Sequence, residues 1–358
     1  MINRRRFLTN AGLFAVTTAA GAPILMGCAP TSSSSSPGQG GGGGTQSSAA
    51  NLVSIAYVTP FQHIVSHADV YIAIQEGYFA EEGLQVEAIA GTGTSSSVSQ
   101  VAAGQAMFGK AAAVITCPLI GDQGTPLITV GQKDQVSQYS VASDPANPLL
   151  TPADFQGKTI GVISQGGTTE LLLNAMSVAE GLDPNGVNKV VTGADVGSLE
   201  FLRRGEVDGF ITFLGSEVAF GQMGVELNYL NTDEFAKMPG DSYFVKKADA
   251  EAQPEAVVGF LRACRKGYQF MADPANIDRV LSAVEAFNPI EVSDPDLAKA
   301  KVEGEVKLAT PSGGGDDFLT IDLSTWESAI ELMRTAGIMQ NTDLGVDAFV
   351  TTEYIDQV

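Results

Sequence analysis

Basic residues are scarce in this 358-residue chain: 20 Lys and Arg stand against 41 Asp and Glu, a formal net charge of −21. Removing the three arginines of the leader described below takes −21 to −24. Such acidity disfavours nucleic acid as a partner, because a phosphate backbone calls for a basic face. Solubility accounts for it more simply. Cysteine is as rare, and beyond residue 28 only Cys117 and Cys264 remain. They are too few for a disulfide framework and too far apart for a zinc-knuckle spacing, which leaves two separately buried thiols or, in an exported chain, one long-range disulfide. The only histidines are His63 and His67, both in one early segment. The chain has no HExxH, no GxSxG elbow and no GxxxxGK followed by Ser or Thr, and no GxGxxG follows a strand. No long apolar run occurs after the leader. These absences remove the ready-made routes to metal, acyl-transfer and nucleotide chemistry. No cofactor, metal or catalytic set is expected, and the acids are too numerous for any pair to be singled out.

What is present begins with an export signal. Arg4, Arg5 and Arg6 precede Phe7 and Leu8, an apolar run follows, and Leu25-Met26-Gly27-Cys28 closes it. The paired arginines resemble a twin-arginine leader, and the closing residues resemble a lipobox in which Cys28 is acylated. Export with a lipid anchor, in the periplasm or on the outer face of the cell membrane, is the expectation. Residues 29–50 are almost wholly Ser, Gly, Ala, Pro, Thr and Gln, a composition that builds a tether and no core.

From about Leu52 the chain alternates between strand and helix signals. SIAYVTP, Leu84-Val86-Ala88, PLITVGQ, YSVASD, TIGVIS, KVVTG and the end of GEVDGFITF read as strands. Between them lie helical stretches, among them TPADFQG with Thr151 as cap and Pro152 at its first position. Val257, Phe260, Leu261, Cys264, Tyr268 and Met271 form the apolar face of a long helix, and TWESAIELMRTAG a last helix ended by Gly337. Such alternation predicts an α/β fold of mostly parallel sheets with helices on both sides.

Ligands of such sheets lie beyond the carboxyl ends of the strands. Four stretches qualify. Phe61, Gln62 and His63 offer a ring, an amide and an imidazole after the first strand. Lys110 and Ala112 lie in a small-residue stretch, with Lys110 as a candidate counter-charge. Gln165, Gly166, Gly167, Thr168 and Thr169 form a glycine turn into a helix, whose free N–H groups suit an anion or polar acceptor. Phe213 and Glu217 follow the FITF strand, where one could stack and the other accept a hydrogen bond.

The stretch from Tyr71 to Glu87, YIAIQEGYFAEEGLQVE, resembles a signature of periplasmic solute-binding proteins in the nitrate, sulfonate, taurine and thiamine-precursor group. Val101–Gly109, Asp154–Val162, Leu202–Phe210 and Pro254–Pro274 resemble the same group in the same order, so the likeness runs from about Ser54 to Val284. It implies a type II periplasmic binding fold: two lobes, each a mixed, mostly parallel sheet flanked by helices, closing on a cleft. It also implies 51–140 with 243–358 as the first lobe and 141–242 as the second, with crossings near Gln138–Asp144 and Pro239–Lys247. The partners implied are a small solute and an ABC permease with its ATPase, with a monomeric carrier and no turnover. Phe61 and Phe213 beside Gln62, His63 and Glu217 favour a flat hydrogen-bonding ring, such as a thiamine-precursor pyrimidine. Nitrate, alkanesulfonate or taurine, a sensing lipoprotein and a pyrimidine-synthase-like enzyme are the alternatives.

Overall fold

The computed structural model describes residues 52–193 and 196–358. The expected leader, Cys28 and the tether lie outside the described residues. Strand β1 (Val53–Val58) leads through a short 3-10 turn, Val65–His67, into helices α1 (Ala68–Gln75) and α2 (Tyr78–Glu81). Strand β2 (Leu84–Ile89), helix α3 (Thr94–Ala102), strand β3 (Phe108–Ala112), helix α4 (Ala113–Gly121) and strand β4 (Leu127–Gln132) follow. The chain then builds β5 (Tyr139–Ser143), β6 (Thr159–Val162), α5 (Thr168–Ala179), β7 (Asn188–Val191), α6 (Val196–Arg203), β8 (Gly209–Phe213), α7 (Leu214–Gln222) and β9 (Asn228–Asn231). Strand β10 (Asp241–Lys246) precedes five helices: α8 (Lys247–Ala252), α9 (Pro254–Ala272), α10 (Ile277–Glu285), α11 (Pro295–Ala309) and α12 (Leu323–Thr335).

The strands form two five-stranded sheets, β2-β1-β3-β10-β4 and β7-β6-β8-β5-β9. In each, four strands run parallel and one strand lies antiparallel between its neighbours, β10 in the first sheet and β5 in the second. Segment 139–143 is strand β5 of the second sheet, and 241–246 is strand β10 of the first. The links between sheets therefore run at 133–138 and 232–240, a few residues before the expected crossings. They are joined where the Lys133 and Asp134 N–H groups both donate to the Asp241 carbonyl, at 3.0 Å each.

Local chemistry explains most elements. Thr151 and Asp154 form a capping box around Pro152. The apolar face of α9 is buried as its spacing demands, and each such side chain contributes about 1.5–3 kcal/mol relative to exposure. Helix α4, AVITCPLIG, has no polar face to give a helical period, so the sequence shows only a strand and its exit there. It forms a helix because it is buried among elements of both lobes: Val114, Ile115, Cys117 and Ile120 join one apolar cluster with Leu172 and Met176 of α5 and Trp326 of α12. Cys117 and Cys264 are free and buried, two separate thiols. No helix of the described residues is long and apolar enough to cross a membrane.

Candidate functional site

The parallel strands of both sheets end toward the region between the lobes, and the loop after β1 is the most tightly built of these ends. Thr59 Oγ1 donates to the Gln62 carbonyl at 2.6 Å and accepts from the Gly91 N–H at 2.9 Å. Ser97 Oγ donates to the Thr59 carbonyl at 2.6 Å. A Cβ on Gly91 would lie 1.8 Å from that carbonyl oxygen, so only glycine fits. This clamp holds Gln62 at φ +39°, a left-handed conformation that costs a non-glycine residue on the order of 1–3 kcal/mol. Its result is to present Phe61 to solvent, 52% exposed. His63 turns the other way. Its Nδ1 lies 2.9 Å from the Tyr71 hydroxyl, and its ring packs against Tyr71 and Phe287. Burial lowers its pKa from 6.5, which keeps the imidazole neutral at pH 7.

Lys110 does not offer its charge to the cleft. It lies opposite Tyr243 in the β3–β10 ladder and is fully buried, with Nζ donating to the Ser66 carbonyl at 2.7 Å. Desolvation and the nearby Lys133 lower its pKa, against the pull of Asp241 and Asp69. The correction has a plain cause: β3 is buried along its whole length, so neither face of the strand opens Lys110 to solvent. Lys133, at the start of the first link, lies 2.8 Å from Asp134 Oδ1, 2.5 Å from Glu305 Oε2 of α11 and 3.2 Å from Ser66 Oγ. Asp134 is pushed up to about 6, by burial and by the neighbouring Asp241 and Glu305 carboxylates, against the pull of Lys133. Ala112 is buried too, lining a space of about 10 Å³ between the lobes with Ser137, Tyr139, Leu172 and Pro239. That admits at most one water.

In the second lobe, Gln165 and Gly166 are exposed, and Gly166 takes φ +65°. A Cβ at Gly167 would meet Ser164 Oγ at 2.2 Å. Thr169 spends its hydroxyl accepting from the Ile163 N–H at 3.1 Å. Thr168 opens α5 half-buried, and the N–H groups of this first turn have no acceptor four residues back. The Gly166 N–H is already taken, donating to Glu170 Oε2 at 2.7 Å. Phe213 is half-buried, and its ring covers Gly215, where a Cβ would lie 2.8 Å away. Glu217 is held beneath α7 by the Ser140 hydroxyl, and burial raises its pKa. Phe213 and Glu217 are thus half-buried beside α7, as Gly167 and Thr168 are at the start of α5, while Phe61, Gln62, Gln165 and Gly166 are exposed. A larger groove of about 430 Å³, among Asp144, Asn147, Lys158 and Asp208, lies at the opposite end of the second sheet, where β5 ends and β6 begins.

Sequence reasoning missed Glu170, Lys133 and Glu305. Glu170 stands three residues after the cap Gly167, but it accepts from the Gly166 N–H before the cap, so the capping-box pattern does not give its role. Lys133 and Glu305 are 172 residues apart, and no local pattern links them.

The model of the NMT1/THI5-like family matches residues 64–277, more than half of the chain. The chain belongs to that family. Its two sheets give it the two-lobed α/β architecture of type II periplasmic binding proteins. It is 26% identical over 303 residues to a formylaminopyrimidine-binding protein of Halalkalibacterium halodurans, covering 79% of this chain and 85% of that one. A riboflavin-binding protein, RibY of Chloroflexus aurantiacus, is 26% identical over 304 residues, 81% of this chain and 83% of its own. Among solved structures, the alkanesulfonate-binding protein SsuA of Xanthomonas axonopodis pv. citri, bound to MOPS, superposes with a TM-score of 0.62 at 13% identity. It covers 85% of this chain and 99% of its own.

Proposed function

We propose that this family member captures a small hydrogen-bonding organic solute, an aromatic heterocycle of the pyrimidine or flavin kind, and delivers it to an ABC permease without chemical turnover. The leader at 1–28 and the tether at 29–50 would hold the folded body at the outer membrane face through a lipid on Cys28. The observation that carries the aromatic preference is Phe61. Its ring is exposed at the end of β1, on a loop held in a left-handed conformation by four hydrogen bonds. Exposing a large apolar ring on a rigid, strained loop suits stacking of a flat partner. The names of the two 26%-identical relatives, one for a pyrimidine and one for a flavin, support the same reading.

Thermal-shift and native mass spectrometry measurements over pyrimidines, flavins, nitrate and alkanesulfonates test it. Stabilisation and a bound mass with a pyrimidine or flavin are expected. Stabilisation by the anions alone would overturn the heterocycle assignment.

A further inference from the structure

Side chains meet the backbone carbonyls of the loop after β1. Thr59 Oγ1 donates to that of Gln62 at 2.6 Å, and His67 Nε2 lies 3.3 Å from that of Phe61. Lys110 Nζ donates to that of Ser66 at 2.7 Å. The rest of the support comes from the link between α10 and α11, far along the chain. Asn288 Nδ2 donates to the His63 carbonyl at 2.7 Å, and Glu291 Oε2 accepts from the Val65 N–H at 3.1 Å. Phe287 stacks on Tyr71 with ring centroids 4.2 Å apart and lies 5.3 Å from the His63 ring. Lys301 Nζ, 3.5 Å from Glu291 Oε2, ties this bracket to α11.

The amide of Asn288 has one orientation that satisfies both its ends. Its Oδ1 accepts from the Ile290 N–H at 3.2 Å and caps the short 3-10 turn Pro289–Val292, which leaves the nitrogen for the His63 carbonyl. Both Asn288 and Glu291 lie beyond residue 277, where the match to the family model ends.

We propose that Asn288 and Glu291 are positioning residues: they hold residues 63–65 from outside the loop and so fix Phe61 where it meets solute. The inference rests on the reading of the Phe61 loop as part of the solute site. A loop fixed before binding loses little freedom when solute arrives, so these residues raise affinity with no solute contact of their own.

The test compares the full chain with Asn288→Asp, Asn288→Ala, Glu291→Gln and Glu291→Ala. Asp keeps the oxygen that caps Ile290 but sets an acceptor against the His63 carbonyl. Gln keeps an acceptor for the Val65 N–H without the charge. Amide hydrogen exchange over 61–67, read without solute, is expected to quicken about fivefold in Asn288→Asp and Glu291→Ala and to stay at the wild-type rate in Glu291→Gln. Calorimetry with riboflavin and with a formylaminopyrimidine is expected to show binding about fivefold weaker in Asn288→Asp and Glu291→Ala, with no further loss when either is combined with Phe61→Ala. If Asn288→Asp exchanges like wild type while Asn288→Ala does not, the residue is only a cap and the proposal fails. Wild-type affinity in Asn288→Asp and Glu291→Ala, beside a loss in Phe61→Ala, overturns the positioning role and leaves the solute site standing. Wild-type affinity in Phe61→Ala removes the solute site from this loop, and the proposal falls with it.

Discussion

In the first lobe, the strand ends stand on a buried platform of charge, with Lys110, Lys133, Asp134 and Glu305 all sealed beneath the loop that carries Phe61. Among the described residues, the equivalent ends of the second lobe carry no such platform, and the turn at 164–166 lies exposed, held by its own backbone and by Glu170. The strand orders of the two sheets match position for position, each with one antiparallel strand fourth in line. What differs is the covering. Helices α1, α9 and α11 pack over one face of the first sheet and convert its polar residues into internal pairs. A common topology therefore supplies one stiff wall and one adaptable wall to the same cleft.

That contrast can be broken from the stiff side first. Lys133→Met would leave Asp134 and Glu305 buried without their cation, and removing one partner of a buried pair costs about 3–5 kcal/mol. Urea unfolding should show a loss of that order, and a loss below ~1 kcal/mol would mean the platform is not what stiffens the first lobe. Next comes Gly91→Ala, whose Cβ must push aside the Thr59 carbonyl. A fall in stability of about 1–3 kcal/mol is expected, with weakened solute binding because the Phe61 loop moves with it. Phe61→Ala probes the wall's exposed face. Stability should hold within about 0.5 kcal/mol while affinity for the heterocycle falls about tenfold by calorimetry, close to 1.4 kcal/mol. Unchanged affinity would remove the ring from the site.

A pH dependence is the remaining effect. Asp134 is raised in the folded state from 3.8 to about 6 by burial and by neighbouring carboxylates, so between those values the folded chain holds the proton more than the unfolded chain does. Its contribution to stability is then full below about pH 4 and is lost as pH rises to about 6. The stability of the wild type relative to Asp134→Asn should decline over that window and be level on either side. A difference that rises with pH would show that Lys133 dominates the titration instead.

Much of this was legible beforehand. The strand at 159–162, its glycine turn and the helix that follows are local signals: an apolar run, Gly166 and Gly167, then spaced leucines. The capping box at Thr151 and Asp154 and the amphipathic face of α9 are equally local. Helix α4 was not legible as a helix, because an element buried on all sides shows no period. Among the candidate site residues, Phe61, Gln62, Gln165 and Gly166 stand open at the strand ends. Lys110 and Ala112 do not, since each is turned inward by packing that lies far off in sequence, while Phe213 and Glu217 are half-buried.

The sequence by itself determined which segments become strands and helices, where the tight turns fall and to which family the chain belongs, because those depend on side-chain period, backbone preference and short ordered motifs. Only the tertiary structure decided which charges face the cleft. A strand residue points to one of two faces, and the helices packed on each face decide whether it meets solvent or a partner. Lys110 met Ser66, Lys133 met a carboxylate 172 residues away, and Glu170 took the Gly166 N–H of the exposed turn.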